Sequence, residues 1–114
     1  MIEDFSISGY INSMDLLEEK LNIWFYIDPD TNLPHIYNHH VSEEEIEDIL
    51  SRPGEDRPGR DGSRVAIGQT QVGRYLRVIY IPDPDSSSVF VITAYELSGK
   101  PLMAYRKRRK RSKK

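Results

Sequence analysis

Arg74-Tyr75-Leu76-Arg77-Val78-Ile79-Tyr80-Ile81 sets β-branched and aromatic residues in quick succession, with no Gly, Pro or Asn among them. Such a run suits a pleated, largely buried surface, and it reads as a strand. A similar run stands on each side. Arg64-Val65-Ala66-Ile67-Gly68-Gln69-Thr70 precedes it across Gln71-Val72-Gly73, and Ser88-Val89-Phe90-Val91-Ile92-Thr93-Ala94-Tyr95 follows Pro82-Asp83-Pro84-Asp85-Ser86-Ser87. Both connectors are short and made of turn formers, so each join is expected to be a hairpin. The Arg74 strand then lies at the centre of an antiparallel meander that the rest of the chain must cover. Side chains alternate across a strand, which puts Tyr75, Arg77 and Ile79 on one face and Leu76, Val78 and Tyr80 on the other.

Upstream lies the sharpest local signal. Ser42 is an N-cap with Glu45 three residues on, a capping box, and Val41 and Ile46 form the matching hydrophobic staple. Glu43, Glu44 and Glu45 put negative charge at the positive end of the helix dipole. Ile46, Ile49 and Leu50 supply a buried stripe, and Arg52-Pro53-Gly54 ends the helix. Earlier, Asn12 or Ser13 caps a short helix with Met14, Leu17 and Leu21 at helical spacing. Ile23 to Ile27 reads as a strand stopped by Asp28-Pro29-Asp30, and Pro34 opens a helical turn from His35 to His40. Gly54 to Gly62 reads as a charged, mobile loop. A last helix from Lys100-Pro101 docks by its first turns, through Leu102, Met103 and Tyr105, and runs out into a basic tail. The expected fold is α+β, with helices against an antiparallel sheet. It forms a single domain over residues 1–105, including an extension over 1–22, followed by a tail over 106–114.

The chain has 114 residues, 38% of them hydrophobic and 30% charged, a balance typical of one globular domain rather than a disordered segment. It has no cysteine, which excludes disulfides and Cys-based metal sites and suits a reducing cytoplasm. Met1-Ile2-Glu3-Asp4 is acidic where a secretory signal is basic, and Ile23-Trp24-Phe25-Tyr26-Ile27, the longest apolar run, is too short to cross a membrane. A net charge of -2 hides a division: eight of the sixteen basic side chains lie in residues 106–114 and all eighteen acidic ones lie before them. An acidic body with a basic tail points to an interaction tail.

Residues 23–111 resemble the BrnT-type toxins of bacterial toxin–antitoxin pairs. Asn38-His39-His40-Val41-Ser42-Glu43-Glu44-Glu45-Ile46 is similar to their K-H-G-[VI]-[ST]-x-E-E-[AI] stretch. Arg64 to Gly68 and Gly73 to Tyr80 are similar to their E-R-x-x-x-I-G and G-R-x-L-x-V-V-Y-T strands. The Val91 to Tyr95 strand and a terminal helix with Tyr105 and an Arg/Lys cluster complete the likeness. The resemblance implies a RelE-like fold, cleavage of messenger RNA, and an antitoxin partner that covers the site. The chain departs from the pattern in three places. Tyr26-Ile27-Asp28-Pro29-Asp30 replaces the W-D-x-x-K opening, His40 replaces a glycine, and Tyr95 replaces the arginine of S-A-R. The ending Ile92-Thr93-Ala94-Tyr95 also resembles a related, uncharacterised family.

Metal-free RNA cleavage needs one group to take the 2′-hydroxyl proton, another to protonate the leaving oxygen, and a cation on the phosphate. The proton carriers available are His35, His39, His40 and the tyrosines, and His39 aligns with the family motif. A helix-end histidine bonded to a backbone carbonyl is its other reading. Arg64, Arg74 and Arg77 are the phosphate candidates, since a guanidinium fork holds two oxygens and stays charged. Tyr75 beside Arg77 offers a stacking ring, although an exposed face with ordinary ion pairs to Glu96 or Asp61 uses the same residues. Arg106, Lys107, Arg108, Arg109, Lys110 and Arg111 attract phosphate backbones without sequence preference. His35 and His39 share a helix face, but no third ligand has matching spacing, so neither a metal nor another cofactor is expected. The expected partners are RNA and an antitoxin, with no membrane. The alternative is a non-catalytic binding module that keeps the fold and uses its tail for nucleic acid or a partner protein.

Overall fold

A computed structural model describes residues 21–112. The chain forms β1 (Asn22–Phe25), a 3-10 helix (His35–His39), α1 (Glu43–Ser51), β2 (Glu55–Pro58), β3 (Arg64–Gln69), β4 (Tyr75–Asp83), β5 (Ser88–Glu96) and α2 (Gly99–Ser112). The helix expected after Asn12 lies outside the described residues, apart from Leu21. The meander forms as expected: β3, β4 and β5 pair antiparallel, and β4 is the middle strand of a five-stranded sheet ordered β1-β5-β4-β3-β2. The architecture is α+β.

Two expectations need correction. The sheet is mixed rather than antiparallel, because β1 runs parallel to β5, with Asn22 opposite Ser88 and Phe25 opposite Val91. Most of the domain separates these strands, so no tight turn dictates their direction. Gly54 to Gly62 is also not simply a loop, since β2 lies within it and pairs antiparallel with β3 from Glu55–Ile67 to Pro58–Arg64. It is an edge strand carrying charges and a proline, which hides the alternation a half-buried strand displays.

One face of the sheet holds the main core. Ile36, Val41, Ile46 and Ile49 pack on Ala66, Leu76, Val78, Tyr80, Val89, Val91 and Ala94. Taking side chains such as Ile46 and Ile49 out of water stabilises the fold by roughly 1.5–3 kcal/mol each. The capping box fixes where α1 begins: the Glu45 amide donates to Ser42 Oγ at 3.2 Å and the Ser42 amide to Glu45 Oε1 at 3.1 Å. Val41 and Ile46, on either side of it, are both buried in this core.

The opposite face is covered by α2 through a smaller cluster of Ile67, Leu97 and Tyr105, with Val65, Tyr75 and Leu102 half-buried against it. Gly54 is required there, because a Cβ at that position would stand 1.8 Å from the Tyr105 hydroxyl oxygen. Farther along the same face, Trp24, Phe90 and Ile81 form an exposed row across β1, β5 and β4.

The β4–β5 ladder contains a bulge. Ile79 pairs with Thr93 and Tyr80 with Val91, which leaves Ile92 as an extra residue. Val89 and Val91 therefore face the α1 side together with Ala94, while Phe90, Thr93 and Tyr95 face the other.

Candidate functional site

The turn after β1 is built on Asp28. Its backbone oxygen accepts from the Asn32 amide at 2.8 Å, and its amide donates to Leu33 O at 2.9 Å. Its carboxylate accepts from the Asp30 amide at 2.8 Å and from Asn38 Nδ2 at 2.6 Å, and faces His35 Nδ1 at 3.3 Å. The Asp30 amide, then Asn38 and His35, hold the carboxyl below the usual carboxylate range. An ionised Asp28 accepts the Nδ1 proton of His35, which leaves Nε2 as that ring's proton acceptor.

From His35 a line of side chains leads back to the sheet. The His35 ring lies 5.2 Å from His39, edge to face, and 6.0 Å from Tyr26. His39 is exposed, and its ring lies 6.1 Å from Tyr95. Arg77 Nη1 donates to the Tyr95 hydroxyl at 3.4 Å. Arg77 and Tyr95 are register partners on β4 and β5, so the sheet itself sets this contact. The Arg77 Nε is enclosed and has no hydrogen-bond partner. Two imidazoles, a phenol and an incompletely satisfied guanidinium thus form one continuous group.

Of the four predicted catalytic residues, the structure joins His39 and Arg77 and separates the other two. Arg64 Nε donates to Asp56 Oδ1 at 2.9 Å, and the Tyr80 hydroxyl donates to the same carboxylate at 2.5 Å. Burial, and then Asp56, push the Tyr80 phenol up to about 12. Arg74 Nη1 donates to His40 O at 2.9 Å and to both Glu45 carboxylate oxygens, at 2.8 and 3.0 Å. Its Nη2 reaches Glu96 at 3.5 Å. Arg64 and Arg74 therefore tie elements together on the α1 side of the sheet, away from Arg77. Tyr95 joins the group although the sequence marks it only as a departure from the toxin pattern, and its register opposite Arg77 is what places it here.

The predicted RNA-binding residues divide along α2. Arg108 forms a two-pronged ion pair with Glu55, and this pairing lowers the Glu55 carboxyl below its ordinary value. Arg109 Nη1 donates to Gly54 O at 2.9 Å. The Arg106 guanidinium lies 5.9 Å over the Tyr75 ring, whose other neighbour is Tyr105 at 6.0 Å. Lys107, Lys110 and Arg111 are exposed. A cleft of about 570 Å³ opens beside this helix, not at the histidine pair, and a recess of about 450 Å³ lies at the acidic start of α1. Among the described residues, no group of three or more His, Cys, Asp or Glu side chains is placed to hold a metal ion, and no helix is long and apolar enough to cross a membrane.

No curated protein and no solved structure matches the chain. Residues 36–96 match the family DUF4258, described as a domain of unknown function. The matched segment runs from the 3-10 helix to the end of β5 and includes His39, Arg77 and Tyr95, while Asp28, His35 and α2 fall outside it. Because the match covers more than half of the chain, the protein belongs to the DUF4258 family.

Proposed function

We propose that this protein is a BrnT-like toxin of RelE-like fold: a metal-independent ribonuclease that cuts messenger RNA in the cytoplasm and is neutralised by an antitoxin. The observation that carries this reading is the pair His35–His39, linked through Tyr95 to Arg77. A phosphodiester set against this group meets two imidazoles, one to accept the 2′-hydroxyl proton and one to protonate the leaving oxygen. Arg77 supplies positive charge as the phosphorane gathers negative charge. Asp28 holds the tautomer of His35. Tyr95, where the toxin pattern carries an arginine, sets its ring against His39 and its hydroxyl against Arg77.

Induction in a bacterial host of the wild type, and of a His39→Ala, Arg77→Ala double variant at equal soluble expression, tests the proposal. Growth arrest with cleaved RNA from the wild type alone supports it. Each lost proton carrier is expected to cost on the order of 10²–10⁴-fold in cleavage rate. Intact RNA and unhindered growth with well-folded wild type would reject it. They would favour the second reading, a binding module, which the capture of Arg64 and Arg74 by Asp56 and Glu45 supports.

A further inference from the structure

The larger cleft lies between the end of α1, the β3–β4 turn and α2. Its volume of about 570 Å³ is in the range of small-ligand sites. Arg52, Arg106, Arg109 and Lys110 line it against a single carboxylate, Asp48, which already accepts from the Gln71 amide at 3.1 Å. That balance favours an anionic ligand, in a protein whose body is otherwise acidic. Arg52, Arg106 and Lys110 form no ion pair with any described residue. Arg106 and Lys110 are four apart on α2 and so stand one above the other along one side of the helix. Arg109 is held in place by Gly54 O and shapes the wall.

The floor adds a second kind of chemistry. The Tyr75 ring is half-buried, braced at its edge by Tyr105 and capped by the Arg106 guanidinium. A long, exposed arginine over a fixed aromatic ring is easily displaced by a flat base, after which the guanidinium is free to meet that base's phosphate. Tyr75 also stands two residues before Arg77 on the same face of β4, a separation of about 7 Å.

We infer that this cleft is a subsite for single-stranded RNA, in which an unpaired base stacks on Tyr75 and the adjoining phosphates lie against Arg106, Lys110 and Arg52. The inference takes its ligand class from the ribonuclease reading above and adds where the RNA is gripped beyond the cut bond. A paired base has no free face for Tyr75, so the subsite rejects duplex.

The test uses the full chain carrying His39→Ala, so that RNA is bound and not cut, with a fluorescent eight-nucleotide single-stranded RNA and the same sequence as a duplex. Tyr75→Leu keeps the bulk that packs on Tyr105 and removes the ring, and unchanged circular dichroism and thermal melting certify its fold. It is expected to weaken single-strand binding about tenfold with no change in salt dependence, since one stacked base contributes roughly 1–3 kcal/mol. Arg106→Ala with Lys110→Ala is expected to weaken binding at least tenfold and to flatten the salt slope by about 1.4, at roughly 0.7 for each phosphate no longer neutralised. Lys107→Ala with Arg111→Ala takes the same charge from α2 outside the cleft, and its effect should be at least fivefold smaller. Equal losses from the two pairs, no loss from Tyr75→Leu, or duplex bound as tightly as single strand would each overturn the inference. Cleavage by the wild type is scored separately. Cleft-dependent binding without cleavage leaves the subsite standing and removes the nuclease.

Discussion

The two faces of the sheet are closed by different physics. On the α1 side, Ile36, Val41, Ile46 and Ile49 are almost completely buried against the strands, and the charged groups there, Arg74 with Glu45 and Arg64 with Asp56, tie the rim. On the α2 side only Ile67, Leu97 and Tyr105 are buried among the described residues, and the helix is held in large part by polar straps, Arg108 to Glu55 and Arg109 to Gly54 O. Apolar burial is non-directional and resists salt, whereas an ion pair at a surface is weak and screened. The first face therefore fixes the fold. The second keeps guanidinium groups and rings near solvent, where a ligand can reach them. Arg77, Tyr95, Tyr75 and the cleft all stand on it or beside it, and His35 and His39 approach it from the 3-10 helix.

The strongest test of this contrast is Ile49→Ala, which should cost about 2–5 kcal/mol of unfolding free energy in chemical denaturation. Leu102→Ala, on the α2 side, should cost clearly less because its side chain is only half-buried. Equal losses would break the comparison. Gly54→Ala should come next, at about 1–3 kcal/mol, since the new methyl and the Tyr105 hydroxyl cannot share one place. Adding Tyr105→Phe should recover part of that loss, and no recovery would mean that the backbone rather than the ring is displaced. Ser42→Ala should cost about 1 kcal/mol, through one lost cap.

The smallest effect concerns the strap. Glu55→Gln should cost less than about 1 kcal/mol, and high salt should erase the difference. Because the folded carboxyl of Glu55 titrates below its ordinary value, the strap's contribution is present above about pH 4.3, the unfolded value, and is lost as pH falls through the folded one. Amide exchange along α2 should therefore rise in acid before exchange along α1 does. Simultaneous release of both helices would remove the distinction between the faces.

The meander and α1 are legible in the sequence because their signals are local: β-branched runs, turn residues, and a cap with its reciprocal glutamate. What stays hidden depends on partners distant in the chain. In β2, Glu55 to Pro58 looks like a loop because its order comes from backbone pairing with β3 rather than from apolar side chains. Arg64 and Arg74 look available for phosphate because nothing in their own neighbourhood shows that Asp56 and Glu45 reach them. Residue type offers three histidines and the three candidate arginines and the resemblance points to His39, but only strand register and a ring contact connect His39 with Arg77 through Tyr95.

The extra residue at Ile92 acts as a change of phase in the strand. Strict alternation would send Tyr95 to the same side as Val89 and Val91, into the core beneath α1, and turn Ala94 outward. One inserted residue reverses the parity for everything after it, so β5 serves the core in its first half and carries Tyr95 to the opposite side in its second. Removing Ile92 would leave a regular ladder in which Thr93, Ala94 and Tyr95 keep their present faces. Straightening the strand with Ile92 retained would instead exchange the inside and outside of its second half, and with them the path by which His39 is linked to Arg77.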